Sequence, residues 1–124
     1  GTVLVPGSSI LVSWEGSRPL LLEVQALVDD SPLSNPRRVS VGFDSNRLNM
    51  LLAVLNRHGK MSMHQQDVFL NVVGGLKITE TGGDLAVVMA ALSSYRNKAI
   101  DSKTVIFGEV GLGGEIRPVQ SGLE

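Results

Sequence analysis

The run Leu85-Ala86-Val87-Val88-Met89-Ala90-Ala91-Leu92 constrains the fold more than any other part of the chain. It is the longest unbroken apolar stretch, and at eight residues it is too short to cross a bilayer. The flanking pattern predicts a helix from Asp84 to Tyr95. Such a helix has almost no polar face and must be covered on most of its circumference.

A sheet is legible elsewhere. Ser9–Trp14 and Leu20–Val28 are rich in aliphatic and β-branched residues, and Glu15–Pro19 between them carries turn chemistry. An antiparallel hairpin follows. Asp29–Arg37 reads as loop, and Arg38–Phe43 as a short strand with Val39 and Val41 on one face. Asp44 is placed to cap a helix in which Leu48, Leu51, Leu52 and Leu55 share a face. Gly59 is expected to end that helix in the left-handed conformation. Asp67–Val73 reads as a buried central strand stopped by Gly74-Gly75, and Thr79–Gly83 as a polar loop. Thr104–Val110 reads as a second buried strand, followed by a glycine-built hairpin into Glu115–Val119. This order predicts an α+β domain with a mixed sheet and two main helices, one domain over residues 1–124.

Several chemistries are excluded. The chain has no cysteine, so disulfides, thiolate metal sites and cysteine nucleophiles are ruled out. Gly59-Lys60 is followed by Met61 and lacks the upstream glycine of a phosphate loop. Gly111-Leu112-Gly113-Gly114 lacks the third glycine of a dinucleotide fingerprint, which would fall on Ile116. No Gly-x-Ser-x-Gly elbow occurs. His64 and Asp67, with His58 nearby, have poor spacing for a metal, and no metal site is expected. The first residues, Gly1–Pro6, show no signal-peptide pattern, so the expectation is a soluble intracellular domain without membrane contact.

Charge is unevenly spread. Net charge is −1, yet Arg37, Arg38, Arg47, Arg57 and Lys60 lie in a span whose only acid is Asp44. One reading is a surface that contacts nucleic-acid phosphates. The other is a solvated helix face with an ion-paired loop, which the residues alone favour. The few aromatics fall mostly inside apparent strands, so contact with a duplex backbone is the better form of the nucleic-acid idea.

Seven segments carry a resemblance to one family. They are 15–20 (EGSRPL), 24–28 (VQALV), 35–38 (NPRR), 46–48 (NRL), 66–69 (QDVF), 71–75 (NVVGG) and 107–112 (FGEVGL). The chain resembles, over essentially its whole length, the C-terminal Lon-protease-like domain of the bacterial RadA (Sms) DNA repair family. That resemblance implies the Lon proteolytic-domain-like fold, also called ribosomal protein S5 domain 2-like. It implies a parent protein with a zinc finger and a RecA-like ATPase, so zinc, ATP and magnesium are expected only in domains outside this chain. It implies a cytoplasmic, nucleoid-associated homo-hexamer that drives branch migration of recombination intermediates. This module would serve in assembly and in contact with duplex or branched DNA.

Lon proteases of this fold carry a Ser-Lys dyad. The resemblance places Asp84 at the serine, in Thr81-Gly82-Gly83-Asp84-Leu85-Ala86, and Leu123 or Glu124 at the lysine. A serine nucleophile needs a hydroxyl and a neutral amine to take its proton, and neither is offered. The expectation is a pseudo-peptidase in which Asp84 has a structural role near its helix N-terminus. The competing expectation is an active Lon-type peptidase. A third is a subunit-contact domain in which Arg37 and Arg38 pair with Glu109 or Glu115 of a neighbour.

Overall fold

The computed structural model describes residues 5–118. β1 (Ser8–Glu15) and β2 (Arg18–Asp30) form the expected antiparallel hairpin, with Ser8 opposite Gln25 and Glu15 opposite Arg18. Gly16 turns the corner at φ 60°, which suits glycine. β3 (Arg38–Val41) leads into α1 (Ser45–His58), and β4 (Gln66–Val72) returns beside β3 in parallel. α2 (Asp84–Arg96) follows, then β5 (Val105–Ile106), β6 (Glu109–Val110) and β7 (Ile116–Arg117). The main sheet has the order β3-β4-β2-β1-β5 and is mixed: β2 pairs antiparallel with β1 and β4, while both edge strands run parallel to their neighbours. The α+β architecture with two helices is as the sequence predicts.

Alternation along β2 explains the layering. Leu22, Val24, Ala26 and Val28 are buried, while Leu21, Gln25 and Leu27 are exposed. Both helices cover the buried face: α2 packs on β2 and β1, and α1 packs on β3 and α2. Ala86, Val87, Ala90 and Ala91 are the contact residues of α2, and their small size lets the helix lie close to the sheet. Leu11, Leu48, Leu52, Met63 and Leu70 fill the space between, each contributing roughly 1.5–3 kcal/mol by burial. Two hydroxyls at the end of α2 bind the hairpin directly. Ser93 Oγ accepts from Gly7 N at 2.9 Å and Ser94 Oγ accepts from Val28 N at 2.9 Å. Among the described residues no helix covers the opposite sheet face. There Leu27, Val39 and Val41 are exposed around Phe69, lining an open groove of about 480 Å³.

Two expectations need correction. Gly59 is not left-handed: its φ is −88°, and it is Lys60, at φ 55°, that takes the left-handed conformation. Gly59 is fixed by contact instead, since a Cβ there would lie 2.7 Å from Leu55 O. Thr104–Val110 is not one buried strand. Ile106 pairs with β1, Phe107-Gly108 breaks the run, and Val110 pairs with Ile116 in a separate two-stranded sheet. The break occurs where Gly108 turns away to exchange hydrogen bonds with the start of α2, its carbonyl accepting from Leu85 N at 3.0 Å. Val119, like Leu123 and Glu124, lies outside the described residues.

Candidate functional site

α1 begins as the sequence predicts, with the Asp44 carboxylate accepting from Arg47 N at 2.9 Å. That cap sets the first turn, and the first turn aims the Arg47 side chain at the N-terminus of α2. There Asp84, the first residue of α2, is completely buried. Arg47 Nε donates to Asp84 Oδ1 at 2.6 Å, and Arg47 Nη2 donates to Asp84 Oδ2. Val110 N donates to the same Oδ2 at 3.1 Å. One carboxylate therefore joins α1, α2 and β6. Its hydrogen bonds raise the Arg47 guanidinium above its ordinary value, against a smaller opposing effect of burial.

The approach to Asp84 is tightly filled. A Cβ on Gly83 would lie 2.5 Å from Ile78 Cγ2, and one on Gly82 would meet the Phe107 ring at 2.9 Å. These glycines are needed for close approach, which brings Ile78 and Phe107 over the helix start. Thr81 Oγ1 donates to Glu109 Oε1 at 2.7 Å alongside. No hydroxyl occupies position 84, and the carboxylate there is already fully engaged. The position to which the resemblance assigned a nucleophile is thus a closed, charge-paired joint. Leu123 and Glu124, assigned to the lysine position, lie outside the described residues.

The five basic residues are distributed by local geometry. Arg37 and Arg38 are consecutive on extended backbone, so they leave opposite faces of the sheet. Arg37 turns to the open face, where Nη2 and Nε donate to Asp67 Oδ2 at 2.6 and 3.2 Å and the guanidinium lies 5.5 Å from the Phe69 ring centre. Arg37 N donates to Asp67 Oδ1 at 2.7 Å. These bonds hold the Asp67 carboxyl at about 2, below its ordinary 3.8. Arg38 turns to the helix face, where Nη2 donates to Met63 O at 2.5 Å and Nε is buried without a partner. Burial lowers the Arg38 guanidinium, with Asp67 opposing the shift. Arg57 and Lys60 are exposed at the end of α1. Arg38 lines a surface notch with α1, Arg47 is turned inward to Asp84, and Arg37 lies across the sheet from both.

The other candidates are placed as follows. His58 Nε2 lies 3.1 Å from Leu112 O, and His64 is exposed in the loop before β4. Asp67 is held by Arg37, and among the described residues no group of three possible ligands could hold a metal. Glu115 pairs with Arg117 and Glu109 with Thr81, both within the chain. No helix among the described residues is long and apolar enough to cross a membrane. Sequence reasoning had no signal for the Arg47–Asp84 or Arg37–Asp67 pairs, which are separated by 37 and 30 residues.

Comparison with known proteins finds similarity to RadA DNA repair proteins along the whole chain. Over 124 residues the chain is 61% identical to DNA repair protein RadA of Haemophilus influenzae, of which it spans 27%. It is 62% identical over 120 residues to DNA repair protein RadA of Pseudomonas aeruginosa, spanning 26% of that protein. Over its full length it is 60% identical to DNA repair protein RadA of Escherichia coli, spanning 27%. The chain thus corresponds to about a quarter of each of these relatives, 27% at most. No family model matches the chain.

Proposed function

We propose that this chain is a non-catalytic module of a RadA (Sms) type DNA repair protein. On this reading it has the Lon proteolytic-domain-like fold, supports assembly of a homo-hexamer and contacts duplex DNA during recombinational repair and branch migration. ATP, magnesium and zinc belong to domains outside this chain. The observation that carries the proposal is Asp84. A peptidase of this fold needs an accessible hydroxyl at that helix start. Here a carboxylate stands there, fully buried and held by Arg47 and Val110 N.

Two measurements test it. Incubation with unfolded casein, with and without the full-length protein's ATPase region, should give no cleavage. Reproducible cleavage blocked by a serine-directed inhibitor overturns the reading in favour of an active Lon-type peptidase. For DNA contact, the useful cations are those of the five candidates that are free of ion pairs among the described residues, Arg38, Arg57 and Lys60. Duplex affinity should fall with salt, and each phosphate that a variant no longer neutralises should reduce the log–log slope by ~0.9. An Arg57→Ala/Lys60→Ala variant with unchanged affinity and slope removes these two residues from the interface.

A further inference from the structure

We propose that the notch between the start of β3 and the outer face of α1 is a binding site for a single phosphate group. The notch has a volume of about 250 Å³ and is lined by Arg38, Asn49, Asn56 and His64 over an apolar floor that includes Leu52 and Met63. Among the described residues no carboxylate lines it.

The chemistry of the lining selects an oxyanion. Arg38 supplies the charge and is pinned from behind, because its Nη2 donates to Met63 O at 2.5 Å. Its Nε–H is buried with no partner. That atom has almost no accessible surface, so the ligand-facing donors of Arg38 are those of its Nη groups at the notch. The nearby acid does not compete for them: both Asp67 oxygens are held by Arg37 on the other side of the sheet. Asn56 has its Oδ1 occupied by Met63 N at 3.0 Å, which leaves its amide N–H groups to face a ligand. Asn49 and the His64 ring are exposed at the rim and can donate as well. A fixed guanidinium surrounded by neutral donors, without competing acid, suits a tetrahedral anion. Arg57 is one helical turn beyond Ala53, which also lines the notch, and so extends the positive field along α1.

The phosphate could belong to a nucleic-acid backbone or to a small phosphorylated molecule. Only the first source rests on the function proposed above. The test is titration of the isotopically labelled chain with inorganic phosphate at constant ionic strength, followed by amide NMR shifts. Saturable shifts are expected at residues 38, 49, 56, 63 and 64. Arg38→Gln should abolish them, but it also removes the bond to Met63 O. Asn49→Asp and His64→Asp therefore provide the control, since both positions are exposed and neither side chain supports the core. Each should weaken phosphate binding about tenfold by placing negative charge beside the anion. A short duplex is then added. Displacement of phosphate by the duplex, and weaker duplex binding by Asn49→Asp, identify the backbone as the source. Phosphate binding that the duplex leaves untouched keeps the notch and removes its link to DNA. Absence of saturable shifts, or shifts unaffected by both aspartate variants, overturns the proposal even if duplex DNA binds elsewhere.

Discussion

The molecule contains two Arg–Asp pairs built to one plan. In each, a buried carboxylate receives two guanidinium N–H groups and one backbone N–H. They differ in what they connect. Asp67 sits at the second residue of β4, and Arg37 immediately precedes β3, two strands already joined by a backbone ladder in which Val68 N donates to Arg37 O at 2.9 Å. That pair reinforces a contact that exists without it. Asp84 carries the hydrogen bonds between α1 and α2 found among the described residues, and adds to those the 108–112 segment already makes with the two helices, and its arginine is better shielded, 28% exposed against 53% for Arg37. Similar groups thus act as a brace in one place and as the joint itself in the other.

The largest effect should come from removing one half of the joint. Arg47→Ala leaves a buried carboxylate without its cation and should cost about 3–5 kcal/mol in urea unfolding. The matching apolar double variant, Arg47→Met/Asp84→Leu, should recover most of that loss. If Arg37→Ala proved as damaging as Arg47→Ala, the distinction between brace and joint would fail. Next is Gly83→Ala, whose methyl would press on Ile78 at the same joint. It should cost about 1–3 kcal/mol by overpacking. No such penalty in thermal melts would show that the start of α2 can shift.

The brace should be visible in acid. The folded carboxyl of Asp67 is held at about 2, against an ordinary 3.8. Its contribution is present above the ordinary value and is lost as pH falls from 3.8 towards about 2. Asp67→Asn should therefore flatten the acid limb of the stability–pH curve in that window. An unchanged acid limb would mean that the pair contributes nothing to folding. The smallest effect should be at Lys60, which holds φ 55° at the end of α1. Lys60→Gly should be neutral or stabilise by up to about 1 kcal/mol, since glycine accepts that conformation freely but loses more entropy on folding. A clear loss in a melting experiment would show that the lysine side chain has a partner.

The contrast also separates what was legible in the sequence from what was not. Both helices, the hairpin and β4 could be read because their signals are local: the leucine spacing in α1, the cap at Asp44, the apolar run in α2. The split of 104–110 could not, because Gly108 breaks that run for contact with a helix start distant in sequence. The left-handed residue was misplaced by one position because Gly59 is selected by closeness to Leu55 O rather than by φ. At the candidate site, Asp84 stood out only through a family resemblance. Its partner Arg47 read as one more surface cation. Charge counts along the chain cannot show which arginines are occupied. Alternation could have shown that Arg37 and Arg38 face opposite ways.

The joint at Asp84 has an evolutionary consequence. A substitution that put serine at this position would lose the anchor of Arg47 before it gained any chemistry. The variant would carry an unpaired, partly buried cation beside the tightly packed Gly82-Gly83 turn. Introducing a nucleophile would need coordinated changes at Arg47 and in the residues above it, each passing through less stable intermediates. A carboxylate in that position thus works as a ratchet that holds its own partner in place.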